Sequence, residues 1–271
     1  MACMSGPALQ LEFEPVPACP LCSSERKSPR LSAPMIGGGT ARFSTCADCG
    51  LVFLDPAPSP DSLNRFYADV YFTPEYRALE GFASPDPVRE LALTLQYMER
   101  LADAVEEFRQ PPGPVLDIGS AYGGFVMEMQ SRGWDAAGVE PSGAAAAFCR
   151  ERLGLRVLHA DIGGADLPAA AFHAVTLWDV LEHFARPAEA MRRIADLAVP
   201  GAILALTTPN AGSPAALIGR ENWIGWKPPT HLCVFNFHSV RQLLEETGWR
   251  MLRAHGGGIY PGQLTVFAEK A

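Results

Sequence analysis

The sequence contains no apolar run of the roughly 20 residues needed to cross a bilayer, so nothing in its 271 residues supports a membrane partner. It is also short of cations. Lys and Arg number 22 against 30 Asp and Glu, giving a formal net charge of -8. A nucleic-acid surface needs basic side chains, so nucleic acid is not the expected partner. Arg26, Lys27 and Arg30 form one local basic cluster, which reads as a solvated loop. Met1 to Gln10 lacks a basic stretch leading into an apolar core, so no signal peptide is expected and the cytoplasm is the default expectation. Internal repeats are absent as well. What remains is an ordinary globular composition, 48% hydrophobic, long enough for one large domain with a small appended module.

Seven cysteines are present, and four of them fall into two Cys-x-x-Cys pairs: Cys19 with Cys22, and Cys46 with Cys49. Cys3, Cys149 and Cys233 are scattered. In a reducing compartment such pairs point to metal before disulfides. Four thiolates complete a tetrahedral zinc site with no open position, so the expected zinc is structural, and its binding explains how a short module is stable. The spacing suits a zinc ribbon with strands near Arg42 to Thr45 and Leu51 to Leu54. Such a ribbon could capture a substrate or dock on the rest of the chain; the acidic balance favours docking.

Three segments follow from composition and periodicity: a zinc-ribbon-like module over 1–55, a helical lid or linker over 56–110, and an alternating strand–helix domain over 111–271. Helices are expected from Ser59-Pro60-Asp61 and over Asp86 to Phe108, the latter with an apolar stripe of Leu91, Leu95, Met98, Leu101, Ala102 and Val105. Beyond Pro114, strands are expected over Val115–Gly119, Trp134–Val139, Arg156–His159, Phe172–Trp178 and Ala202–Thr207. Helices are expected over Gly124–Arg132, Ala144–Leu153 and Ser239–Thr247. The chain ends with two strands, Trp249–Ala254 and Leu264–Ala268, that have no helix between them. The expected fold class is therefore α/β: a Rossmann-like, doubly wound, mostly parallel sheet with an antiparallel closing strand, plus the N-terminal ribbon.

The chemistry-bearing residues gather at the strand ends. Asp117 and Gly119 through Gly123 occupy the first strand-to-helix turn, where the backbone can approach a ligand closely. Glu140, followed by Pro141, ends the second strand, where a carboxylate can accept from ribose hydroxyls. Asp161, with Ile162, lies past the third strand and can accept from an adenine amine. Trp178 and Asp179 end the fourth. The Gly119-x-x-x-Gly123 spacing does not fit the three-glycine turn of nicotinamide-binding domains.

These motifs resemble the class I SAM-dependent methyltransferases, in particular their broad small-molecule group. The resemblance rests on Asp117-Ile118-Gly119-x-x-x-Gly123, Glu140-Pro141-Ser142, Phe172 through Asp179-Val180-Leu181-Glu182-His183, Thr208-Pro209-Asn210, and His231-Leu232-x-x-Phe235 with Leu243-Leu244 and Gly248-Trp249. It covers about residues 60 to 271. It implies S-adenosylmethionine as cofactor, bound by Asp117, Gly119, Ala121, Gly123, Glu140, Pro141, Asp161, Ile162, Trp178 and Asp179. Tyr67 and Tyr71 would then belong to a lid that folds over the cofactor; helix core is the competing reading of that aromatic run. One departure is Ser120-Ala121-Tyr122, where Tyr122 would narrow the crevice or stack on the ligand.

Asp179, Glu182 and His183, with the later His231, resemble the Glu-x-x-Glu-His set that holds a divalent metal in ubiquinone-pathway O-methyltransferases and small-RNA 2′-O-methyltransferases. The competing reading, which we adopt, is metal-free, as in many relatives. His183 and His231 are the candidate general bases. Trp223, Trp226 and Lys227 are expected in an acceptor pocket. The leading functional expectation is methyl transfer to a small-molecule hydroxyl in a biosynthetic or sugar pathway. The alternatives are an RNA or protein methyltransferase that captures substrate with its ribbon, and a non-catalytic SAM-binding or zinc scaffold.

Overall fold

A computed structural model describes residues 11–81 and 86–271; Cys3 lies outside the described residues. The chain opens with β1 (Phe13–Glu14), then a meander of β2 (Lys27–Pro34), β3 (Thr40–Cys46) and β4 (Val52–Leu54). A short β5 (Ala57–Pro58) pairs with β1. Three helices follow: α1 (Pro60–Asp69), α2 (Pro74–Leu79) and α3 (Pro87–Glu106), capped by the Ser59, Thr73 and Asp86 side chains with proline in the first turn. The remainder alternates: β6 (Pro114–Ile118), α4 (Gly124–Ser131), β7 (Asp135–Glu140), α5 (Gly143–Leu153), β8 (Val157–His159), β9 (Phe172–Trp178), α6 (Pro187–Leu197) and β10 (Ala198–Pro209). An insertion carrying α7 (Pro214–Gly219) leads to β11 (Cys233–Val234), α8 (Phe237–Glu246), β12 (Trp249–Gly256) and β13 (Gln263–Lys270).

The main sheet has seven strands in the order β12-β13-β10-β9-β6-β7-β8. β10, β9, β6, β7 and β8 run parallel, while β13 is antiparallel to β10 and β12 to β13. The expected α/β fold with its antiparallel closing strands is thus present. Strand order reverses between β6 and β9, so the loops leaving those two strands part and open a crevice at their carboxyl ends.

Two elements lie outside the sequence expectations. Strand β2 holds Pro29 and Pro34, which read as breakers; it survives at a sheet edge, with a register shift between Pro29 and Leu31 that accommodates the missing donor. Helix α6 starts at Pro187 and buries Ala188, Met191, Ile194 and Leu197 against the sheet. The stripe expected on α3 is only half buried: Leu101, Ala102 and Val105 are covered, but Leu95 is exposed because the first turns of α3 stand beside the crevice mouth.

The ribbon is not a separate bead. Its sheet has the order β11-β4-β3-β2, so its fourth strand comes from residues 233–234. Leu54 N donates to Leu232 O at 2.8 Å and Ile36 N to Pro228 O at 3.0 Å. Trp226 packs on Phe43 of β3 with ring centroids 5.2 Å apart. A buried tryptophan at such a junction contributes about 3–5 kcal/mol relative to alanine. Trp226→Ala is expected to lower the unfolding free energy by about 3 kcal/mol in urea denaturation and to expose the β2–β4 meander to limited proteolysis. A change below about 0.5 kcal/mol would show that the junction does not hold the ribbon.

Candidate functional site

The crevice is a cavity of about 530 Å³ floored by the ends of β6, β7, β8 and β9 and roofed by α1, α2 and the start of α3. Its floor is built around the turn after β6. Gly119 has φ 68°, and a Cβ there would come within 2.5 Å of Val180, so only glycine lets the β6 and β9 loops approach this closely. Gly123 has φ 77° and begins α4, where a Cβ would strike Leu155 at 2.6 Å.

Glu140 is buried at the end of β7. Its Oε2 accepts from Ala121 N at 2.9 Å and its Oε1 from Ser142 N at 2.8 Å. Burial nevertheless outweighs these two donors and pushes the carboxyl up to about 7. Asp161 is exposed at the rim, with Oδ1 accepting from Gly163 N at 2.7 Å. Asp179 has φ 56°; its Oδ1 accepts from Gln263 Nε2, and burial pushes it up to about 6. The roof is aromatic, with Phe66, Tyr67, Tyr71 and Tyr76 in mutual edge contact.

The cavity brings together Tyr67, Tyr71, Gly119, Ala121, Glu140, Pro141, Asp161, Ile162, Trp178, Asp179 and His183. Three expected site residues do not line it. Asp117 is buried beneath the floor, accepting from Thr176 Oγ1 at 2.6 Å, and burial pushes it up to about 7. Gly123 is one turn too far along, packed on α5. His231 sits behind His183, ring against ring at 5.0 Å, and donates from Nδ1 to Gly225 O at 2.9 Å. Tyr122 does not reach the cavity either; it is buried between Phe72 and Phe148. Trp223 and Trp226, expected in an acceptor pocket, are buried at the ribbon junction, and their indole N–H groups are spent on Pro261 O and Arg220 O.

The sequence reading missed Arg77 and Glu90, which line the cavity from α2 and α3 and pair with each other. Glu80 continues this buried network to Lys227, with Nζ 3.0 Å from Oε1. No local motif marks these residues; only the packing of the helices over the sheet unites them. The lining therefore carries four carboxylates, Glu90, Glu140, Asp161 and Asp179, against the Arg77 guanidinium. That balance suits a ligand with net positive charge, as a sulfonium and an ammonium beside one carboxylate would supply.

His183 Nδ1 lies 2.8 Å from Thr230 O and 2.9 Å from Tyr67 Oη. A carbonyl only accepts, so Nδ1 carries the proton and Nε2 the lone pair. Burial pushes His183 down to about 4, and the Thr230 and Asp179 carbonyls offset this only in part. Behind it, Glu182 Oε2 accepts from Thr208 Oγ1 at 2.9 Å, while Oε1 has no hydrogen-bond partner among the described residues and stands 4.0 Å from His231 Nε2. Burial holds Glu182 well above the ordinary carboxylate range and His231 well below the ordinary imidazole range. One ligand atom each from Glu182, His183 and His231 falls within 4.8 Å of the others; Asp179 does not join them.

The four ribbon cysteines converge as well. Cys19 and Cys49 sulfurs are 3.5 Å apart, Cys22 and Cys46 sulfurs 3.6 Å, and all four lie within 4.8 Å of one another. Zinc–sulfur bonds of about 2.3 Å in a tetrahedron separate sulfurs by about 3.8 Å, so this cluster fits zinc.

Comparison with known proteins agrees with this geometry. No curated protein matches the sequence. Among solved structures, the Burkholderia thailandensis 1,6-didemethyltoxoflavin-N1-methyltransferase, with bound 1,6-didemethyltoxoflavin and S-adenosylhomocysteine, is similar at a TM-score of 0.55 and 16% identity, covering 83% of this chain and 97% of that one. A SAM-dependent methyltransferase from Aquifex aeolicus is similar at a TM-score of 0.53 and 18% identity, covering 69% of this chain and 99% of that one. At these identities the likeness shows a shared fold. The family described as "Methyltransferase domain" matches residues 93–254, more than half of the chain. The chain belongs to that family and is a class I SAM-dependent methyltransferase.

Proposed function

We propose that the enzyme methylates a hydroxyl of a small-molecule acceptor in a biosynthetic or sugar pathway, with His183 as general base and a structural zinc in the ribbon. The observation that carries this reading is the state of His183: it lines the cavity shared with Glu140, is neutral over the physiological range, and has Nδ1 committed to a backbone carbonyl. Nε2 is then the nitrogen that would take the hydroxyl proton. Bound S-adenosylmethionine would supply an electrophilic methyl group on a sulfonium. Glu140 and Asp161 would hold its ribose and adenine, the Gly119–Ala121 turn would pass beneath it, and Tyr67 and Tyr71 would cover it and exclude water.

A small acceptor is favoured over RNA by the ribbon's own charges. Arg26 pairs with Asp48 at 2.8 Å and Lys27 with Asp55 at 2.7 Å, so two of the three cations in the basic cluster are neutralised locally. The Burkholderia relative's printed ligand, 1,6-didemethyltoxoflavin, is likewise a small molecule.

A divalent metal at Glu182, His183 and His231 is a second reading, favoured by their convergence and by the unpartnered Glu182 Oε1. A metal that polarises an acceptor hydroxyl must face the cavity. Of the three residues only His183 lines it, so the metal-free base is the reading we adopt.

Four outcomes test these assignments. Glu140→Ala is expected to weaken S-adenosylhomocysteine binding by at least about 100-fold in calorimetry; near-normal affinity would sink the ribose assignment. In the native protein, ionised Glu140 offers two acceptor oxygens to the ribose hydroxyls, and protonation turns one of them into a donor and weakens the pair. Cofactor affinity should therefore fall as pH drops below about 7, whereas turnover at saturating cofactor stays level until the acid limb of His183 near about 4. With an acceptor found by screening, His183→Gln should lower kcat by about 100-fold or more, with KM for the cofactor unchanged within about threefold. Metal analysis should return about one zinc per chain. A second equivalent that disappears in Glu182→Gln would instead establish the buried metal.

A further inference from the structure

Segment 227–234 lies between two parts of the molecule and is hydrogen-bonded to both. On the ribbon side, Ile36 N donates to Pro228 O at 3.0 Å, Leu54 N donates to Leu232 O at 2.8 Å, and Cys233 and Val234 pair with Phe53 and Val52. Just beyond, Asn236 Nδ2 donates to Gly50 O at 2.8 Å, directly after the knuckle cysteine Cys49. On the catalytic side, Leu232 N donates to Glu182 O at 2.8 Å, Cys233 Sγ to Phe184 O at 3.5 Å, and the Thr230 carbonyl fixes His183 Nδ1 at 2.8 Å. Each link is a backbone group or a buried or half-buried side chain, and the path from knuckle to imidazole is continuous.

The cofactor-binding floor of the cavity has no such connection. Among the described residues, no hydrogen bond joins residues 11–54 to the loops after β6, β7 or β8, which carry Gly119, Ala121, Glu140 and Asp161.

We infer that the metal-loaded ribbon is a positioning device for the acceptor half of the site: through Asn236 and segment 227–234 it holds the Thr230 carbonyl in place and thereby fixes the His183 tautomer. Thr230 and Asn236 are positioning residues. The four ribbon sulfurs crowd into one buried cluster, and a module this short does not stay folded without its metal. When the cluster empties, β4 loses its support, β11 loses its partner, and the Thr230 carbonyl is free to move. Nδ1 of His183 then no longer needs to carry the proton, and both tautomers populate. Cofactor binding, resting on β6 to β8, persists. The inference gives the ribbon a role inside the site in place of substrate capture. Its functional weight rests on His183 being the base, but its test does not.

The experiment uses the full-length, zinc-loaded protein and reads two quantities: S-adenosylhomocysteine affinity by calorimetry, and the ring-nitrogen NMR signals of His183. Removing zinc with a chelator should leave the affinity within about threefold and convert the His183 signals from one tautomer to a mixture, with zinc re-addition restoring the first state. Asn236→Asp and Asn236→Ser each keep an oxygen that can cap α8 at Ser239 N; the carboxylate has no donor for Gly50 O, and the shorter serine hydroxyl does not extend to the Nδ2 position. Both should give the same two results with zinc still bound. His183 signals that do not move after zinc removal or in the Asn236 variants overturn the inference, as does a loss of cofactor affinity in those variants as large as any change at His183. If chelation unfolds the whole chain, the two variants decide by the same readings. A His183→Gln enzyme of normal kcat would refute the base assignment and leave the tautomer result standing.

Discussion

The pairing of β11 with β4 is the interaction on which the arrangement of this molecule depends. Two residues on one side and a three-residue strand on the other bring a small cysteine-bearing meander and a seven-stranded sheet into one hydrogen-bonded structure. Backbone groups buried at such a junction must be paired, and here they are, with Leu54, Leu232 and Glu182 linked in series. Trp226 and Phe43 close the same seam with apolar surface. The His183 ring is tied to this seam through the Thr230 carbonyl.

Burial sets the electrostatics of the site. Glu140, Asp117 and Asp179 are all pushed upward because each carboxyl is buried at the sheet's carboxyl edge. The same low-polarity surroundings push His183 and His231 downward and so keep both imidazoles neutral. The cavity therefore combines several carboxyl groups with a neutral imidazole on its wall. On the proposed reading, methyl transfer from a sulfonium to a hydroxyl would use both.

Several features were legible along the chain because they are local. Each strand end in the alternating region is marked by a short apolar run that stops at Gly119, Glu140 or Asp179, and the structure places these three on one cavity. The two Cys-x-x-Cys pairs are equally local signals, and their sulfurs converge. Other features were hidden. Proline masked β2, since an edge strand tolerates a missing donor that a central strand would not. Trp223 and Trp226 looked like pocket residues because aromatics in an insertion after a catalytic strand suit an acceptor, but their large apolar faces were taken by the seam.

The sequence by itself determined the doubly wound fold, the cofactor crevice at the β6 turn and the cysteine cluster. All three follow from periodicity and spacing within a few tens of residues, where chain geometry leaves little choice. Only the tertiary structure decided that the ribbon's sheet is completed by Cys233 and Val234, that Arg77 and Glu90 face Glu140 across the cavity, and that His183 rather than His231 reaches it. The physical reason is that each of these depends on which buried surfaces meet. Backbone pairing across 180 residues, ion pairs between separate helices, and the order in which two imidazoles in edge contact lie behind a wall leave no trace in local pattern.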